Sequence, residues 1–266
     1  MNTMAGKRAS VDTAKVHLHV LGQDRELSFQ VGIGARPVTE LLRPARELAN
    51  RISQIAVEHA EAEGRRVSCK IGCGACCRQI VPVSGIEAES LSRIVAAMPK
   101  ERRAEIQRRF AEAIAKLEGA GLLDPAAAKG RESLRTTAAP GESLWESASK
   151  QYFALKIACP FLENESCGIY EGRPLVCREY HVTTPSEWCA DLSARVETVP
   201  RPARMGEVLS DTANALLGTK SGMIPLTLAL EWASVHGAPL RRIKDGEAMF
   251  WQLLEQMETE PSAPPA

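Results

Sequence analysis

The sequence predicts a mainly α fold with a small β-hairpin near its N-terminus. Three observations carry that reading. Several segments repeat apolar residues every three or four positions, the spacing of one helix face. Strict apolar–polar alternation is confined to residues 16–31, the spacing of a half-buried strand pair. Seven of the eight cysteines gather into two groups instead of spreading through the periodic segments. With 266 residues, 44% of them hydrophobic and 25% charged, the chain can bury a core of its own.

Val16, Leu18 and Val20 share one face of the first strand, and Leu27, Phe29 and Val31 one face of the second, around a break at residues 22–25. Residues 38–63 place Leu48, Ile52, Ile55 and Val57 at helical spacing and stop at Gly64, with Pro44 in the first turn or at a kink. Ser84, followed three residues later by Glu87, forms a capping box for a helix to about Met98. Pro99 opens the next helix, whose apolar stripe is Ile106, Phe110, Ile114 and Leu117. Its Arg102, Arg103, Arg108 and Arg109 interleave with Glu101, Glu105 and Glu112, which reads as a solvated face and not as a phosphate-binding stripe. Residues 121–142 lack periodicity and read as a loop or lid. Helices follow at 143–156 and near 205–217, 224–236 and 244–258, and the closing PSAPPA reads as a disordered tail. The chain thus divides into a hairpin plus helix (1–64), a cysteine-rich metal-binding segment (65–190) and a C-terminal helical region (191–266).

Thirty-three basic and 33 acidic residues leave no basic excess for phosphate neutralisation, so nucleic acid is not an expected partner. No run of 18 apolar residues occurs, so no membrane span is expected, and the N-terminal stretch lacks the apolar core of a secretory signal. A cytoplasmic location follows, where thiols stay reduced and clustered cysteines argue for metal over disulfides.

Residues 68–78, SCKIGCGACCR, place Cys69, Cys73, Cys76 and Cys77 within nine residues. Gly72 and Gly74 let the backbone bend tightly and turn N–H groups toward sulfur. Lys70 and Arg78 flank the run and favour thiolate, the form that binds metal. The second group, in CPFLENESCGIYEGRPLVCREYH, spaces Cys159, Cys167 and Cys177 by eight and ten residues, with a turn at Asn164-Glu165 and Gly168 and with Arg173 and Arg178 adding positive charge. Sharing one centre would close the 82-residue gap from Cys77 to Cys159, at an entropic cost that grows only logarithmically. A structural zinc contributes on the order of 10 kcal/mol or more, so such a site could organise the fold. Cys189, in EWCADL, stands apart as a small buried side chain whose replacement by serine should leave metal binding intact.

These two motifs together, with their Cys-Pro-Phe-Leu, Ile-Tyr and Arg-Pro elements, resemble the YkgJ-like cysteine-cluster family, zinc- or iron-chelating domains with a CxxCxxCC-type motif. The resemblance covers roughly residues 65–181. It implies that Cys69, Cys73, Cys76, Cys77, Cys159, Cys167 and Cys177 form the metal-site set. A related branch, the flagellin lysine methylases, implies an alternative: iron–sulfur-dependent group transfer to a protein side chain.

Seven thiols exceed the four ligands of one closed zinc site. A four-cysteine cluster with spare thiols, two metal sites, or a larger thiolate cluster all satisfy the count, and neighbouring Cys76 and Cys77 are expected to diverge. Soft thiolates select zinc, Cu(I) or iron–sulfur; a [4Fe–4S] cluster is the leading expectation and zinc the second. The Cys69-x3-Cys73-x2-Cys76 spacing matches radical S-adenosylmethionine enzymes, but the alternating β/α pattern of those barrels is missing. GxGxxG, GxxxxGK[ST] and HExxH motifs are absent. His181 reads first as an ordinary half-buried histidine and second as a ligand or proton carrier. Glu179 and Tyr180 are candidates for supporting the ligands. His17 and His19 are expected in solvent, and Trp145, Trp188, Trp232 and Trp251 in packing roles. The expected partner is a metal ion or cluster; a third reading is an interaction module in which zinc is a staple and the helical C-terminal third binds a protein.

Overall fold

In the computed structural model, residues 11–191 and 195–259 are described; the PSAPPA tail lies outside them. Strands β1 (Val11–Val20) and β2 (Gln23–Gly32) pair antiparallel with Val20 opposite Gln23. The turn is Leu21-Gly22, both at positive φ, so the second strand starts inside the expected break. Val16, Leu18, Val20, Phe29 and Val31 are buried, as the alternation requires, while Leu27 is half-buried. His17 and His19 face outward beside Glu26 and Asp24.

Strand β3 (Ala35–Pro37) and a 3-10 turn at Val38–Leu41 lead into helix α1 (Leu42–Ala62). Pro44 is its third residue, where its missing N–H breaks no helical hydrogen bond, and the helix runs on through Leu48, Ile52 and Ile55, all buried. Short strand β4 (Pro82–Val83) precedes α2 (Gly85–Ala96), which opens with the expected box: the Glu87 amide donates to Ser84 Oγ, and the Ser84 amide to the Glu87 carboxylate. Helix α3 (Lys100–Gly119) buries Ile106, Phe110 and Leu117.

Residues 120–143 form no regular element, yet they are anchored and not a free lid. Leu122 and Leu123 are buried. After α4 (Leu144–Ala154) come the two-residue strands β5 (Leu162–Glu163) and β6 (Ser166–Cys167), the one-turn helix α5 (Val176–Glu179) and α6 (Met205–Leu217). Strand β7 (Ile224–Pro225) pairs with β4, α7 (Ala229–His236) packs on α2, β8 (Ile243–Asp245) pairs with β3, and α8 (Gly246–Thr259) closes the order. Arg131 sits between Glu231 of α7 and Glu118 of α3, both at 2.7 Å, which pins the 120–143 segment to the helices. One apolar core links the hairpin to the last helix, with the Phe29 and Phe250 rings 5.9 Å apart.

Two expectations need correction. Trp232 is buried and donates to Glu132 at 3.0 Å, but Trp145, Trp188 and Trp251 are exposed. The arginine face of α3 is not merely solvated. Arg108 spends its charge on Glu105 and Glu112, whereas Arg102 reaches Glu163 and the Gly168 carbonyl, and Arg109 donates to the carbonyls of Pro160 and Leu162. Two of the four arginines therefore brace the segment that carries Cys159 and Cys167.

Candidate metal centre

The first cysteine run folds as a turn followed by a 3-10 turn at Ala75–Arg78. The Cys73 amide donates to Lys70 O and the Cys77 amide to Gly74 O, each at 3.1 Å. Gly72 takes φ +86°, a conformation that side chains resist. Gly74 is needed for a different reason. A Cβ there would lie 2.6 Å from Leu162 Cδ1 and 2.9 Å from the Glu165 carbonyl oxygen, because the β5–β6 hairpin rests on it. The hairpin turns through Asn164 and Glu165, both at positive φ, as the sequence suggested. Arg78 clasps it: Nη2 meets Glu165 Oε1 at 2.6 Å and Nη1 meets Oε2 at 2.9 Å. That pairing takes up much of the positive charge expected to favour thiolates.

The two groups meet through the backbone as well. The Cys159 amide donates to the Cys77 carbonyl at 2.7 Å. Cys177 is the second residue of α5, and that helix is held at its start by Glu87, whose Oε1 accepts the Leu175 amide at 2.7 Å. Amides also turn onto sulfur. Val182 donates to Cys69 Sγ at 3.3 Å, and Phe161 and Ile169 donate to the thiols two residues before them, Cys159 and Cys167. Such donors favour the thiolate form.

All seven predicted thiols line one cavity of about 430 Å³, together with Cys189. Cys189, expected to stand apart from the metal site, is buried in the wall of this cavity, beside Tyr180. No local pattern signals this, since Cys189 reaches the others through the 3-10 turn at Ser186–Ala190, which packs on the Ala75–Arg78 turn. Gln79 fixes the contact by donating to the Cys189 carbonyl at 2.8 Å. Ile80, Val81, Phe161, Ile169 and Leu226 supply apolar walls, the last from the C-terminal third.

Cys76 is the common neighbour. A thiolate there pushes up the thiols of Cys69, Cys159, Cys167, Cys177 and Cys189. Cys76 thus acts on thiols of both cysteine groups and on Cys189. The expected divergence of Cys76 and Cys77 is not seen, for their side chains share a hydrogen bond, which with burial raises the Cys76 thiol. Burial pushes Cys159 up to about 12, Cys189 to about 11, and Cys177 well above its ordinary value. At neutral pH these groups keep their protons until a cation displaces them.

Arg173 keeps its expected place, near enough to lower the Cys167 thiol while its guanidinium lies 3.7 Å over the Tyr170 ring. Arg178 does not; its guanidinium turns away, toward Asn50 and the Glu171 and Arg173 carbonyls. Glu179 is a brace for α6, accepting the Met205 amide at 3.1 Å. Tyr180 is in the cavity wall, bonded to Cys189, with its hydroxyl pushed up to about 12 by burial. His181 is there too, its Nδ1 buried without a partner, and burial lowers its pKa.

The donor set is soft, eight sulfurs and one imidazole with no carboxylate, which fits zinc, Cu(I) or iron–sulfur and disfavours Mg²⁺ or Ca²⁺. Among the described residues no three His, Cys, Asp or Glu side chains come close enough to hold one ion between them. No helix of the described residues is long and apolar enough to cross a membrane.

Residues 68–195 match the profile of a family named CxxCxxCC, described as a "putative zinc- or iron-chelating domain". The match takes in both cysteine groups and extends through Cys189. No curated protein and no solved structure matches the chain.

Proposed function

We propose, from the match of residues 68–195 to a family described as a "putative zinc- or iron-chelating domain", that the sulfur-lined cavity holds an iron–sulfur cluster of the [4Fe–4S] type. The observation that carries this choice over zinc is the number of thiols: eight line one cavity of about 430 Å³, twice the four that a closed zinc site takes. A tetrahedral zinc draws four sulfurs to about 2.3 Å from a single centre; a cluster of several metals holds its thiolates around a larger body. Cys69, Cys73, Cys76, Cys77, Cys159, Cys167 and Cys177 are the proposed ligand set, from which the cluster takes its four, with Cys189 in the wall of the same cavity.

When bound, such a cluster supplies electron transfer or an electrophilic iron. The chain's own part is to orient thiols by the amides of Val182, Phe161 and Ile169, offset charge with Arg173, and exclude water with Phe161, Ile169 and Leu226. Anaerobic purification followed by visible absorbance with iron, sulfide and zinc analysis tests the reading. A brown protein carrying iron and sulfide is expected; a colourless one with stoichiometric zinc overturns it.

The second reading is an enzyme that uses the cluster for group transfer to a protein side chain. Its support is the lining of the sulfur cavity, where apolar side chains and His181 stand beside the cysteines. A rise in melting temperature of the cluster-loaded protein with S-adenosylmethionine is the expected sign, and no shift at saturation counts against methyl transfer.

A further inference from the structure

A second cavity, of about 720 Å³, is lined by residues of β2, the start of α1 and α8, with Arg178 of α5. Arg36, Arg43, Arg46 and Arg178 line it, against Glu40, Glu47 and Glu171. Arg36 approaches Glu40 at 3.8 Å. The other two inner cations are not paired in this way. Arg178 is buried and donates only to uncharged oxygens: Asn50 Oδ1 at 3.2 Å, Arg173 O at 3.2 Å and Glu171 O. Arg46 donates through Nη2 to Gly172 O at 3.1 Å, while its Nε is buried with no partner. Glu87 and Glu171 act on these guanidiniums only at a distance, and the Glu87 oxygens are already taken by Ser84 and Leu175.

Two neighbouring cations with no hydrogen-bonded carboxylate are costly at such burial unless an anion completes them. Each guanidinium has five N–H donors in a planar fork that matches carboxylate or phosphate oxygens. Arg178 spends three on the protein and Arg46 one, so donors remain on both. The cavity is large enough for a small molecule and not merely an ion. We propose that it binds a small-molecule ligand through an oxyanion head group, carboxylate or phosphate, received by Arg46 and Arg178. Arg178 directly follows Cys177, and Glu171 and Gly172 lie between Tyr170 and Arg173 of the sulfur cavity, so the two sites share a wall. The proposal does not rest on any metal.

Calorimetric titration of the full chain at low ionic strength, with inorganic phosphate and separately with succinate, tests it. Saturable binding of one probe per chain is expected, with the tighter probe identifying the head group. Arg46→Gln should weaken that binding roughly tenfold or more, the loss of a charge-assisted pair, while Arg108→Gln on the far face of α3 leaves it unchanged. Should Arg46→Gln fail to fold by circular dichroism, Arg46→Lys keeps the charge but removes the planar guanidinium fork and should still weaken binding. No saturable binding of either probe, a foldable Arg46 variant that binds as tightly as the parent, or an equal loss in Arg108→Gln overturns the assignment.

Discussion

The Cys159 amide hydrogen-bonds to the Cys77 carbonyl at 2.7 Å, joining by one backbone contact two cysteine groups 82 residues apart in sequence. Sulfurs carried on either side of that bond enter the same cavity. Convergence is therefore built into the peptide framework.

Cys76 acts electrostatically on thiols of both cysteine groups, so its loss should be felt by both. Cys76→Ser is expected to reduce metal content more than Cys69→Ser or Cys167→Ser, one from each cysteine group. Cys189→Ser is expected to lower it as well, because that sulfur lines the same wall. Iron, sulfide and zinc analysis of the four variants measures the order; equal losses in all four contradict the role given to Cys76.

The hairpin's contact with the first loop depends on bare backbone more than on charge. Gly74→Ala puts a Cβ within 3 Å of Leu162 and Glu165, and should cost on the order of 1–3 kcal/mol. Arg78→Ala breaks a partly exposed ion pair worth less than about 1 kcal/mol. Denaturant unfolding of both variants compares them, and a larger loss in Arg78→Ala reverses the argument.

Glu87 serves two elements at once, capping α2 and receiving the Leu175 amide before α5. Burial raises its pKa against the pull of those hydrogen bonds and of Arg46. Glu87→Ala leaves the Ser84 and Leu175 amides without their acceptor, at about 1–3 kcal/mol for each donor stranded. Lower stability together with lower metal occupancy is expected, since α5 carries Cys177. Occupancy unchanged at equal destabilisation would show that the Cys177 helix is held by other contacts.

Arg131 and Glu231 give the clearest pH dependence. Burial disfavours the Glu231 charge, but the Arg131 side chain, the Arg131 and Gly130 amides and the Arg131 charge outweigh it and hold the carboxyl below its ordinary 4.5. A depressed carboxylate stabilises the fold fully above that ordinary value and loses its contribution as pH falls through the folded one. Glu231→Gln should cost at least about 2 kcal/mol at neutral pH. The gap from the parent should stay flat above pH 4.5 and narrow below it, as read by unfolding at several pH values. A gap that widens on acidification contradicts the pairing.

Local physics was legible in the sequence where neighbours along the chain decide the outcome. Alternation placed Val16, Leu18, Val20, Phe29 and Val31 inside, and the Ser84–Glu87 box marked the start of α2 to the residue. What escaped depends on partners distant in sequence. Arg102 and Arg109 sit in a mixed-charge run that normally faces water, and only the folded chain brings the carbonyls of Gly168, Pro160 and Leu162 within their reach. Arg178 follows a cysteine, but the direction of its helix turns it away from sulfur. Cys189 lies outside both motifs and enters the cavity through the packing of two 3-10 turns. Glu87 was legible as a cap but not as the acceptor for Leu175, because one carboxylate oxygen was left over after capping and nothing local showed where it went.

The convergence of both groups on one inorganic centre is tested most directly by the metal content of Cys159→Ser purified without oxygen, beside the parent chain. Loss of most of the bound metal, although the first group remains intact, is the predicted result. Full stoichiometry retained by the variant would mean that residues 69–77 hold the metal alone, and the shared centre would be contradicted.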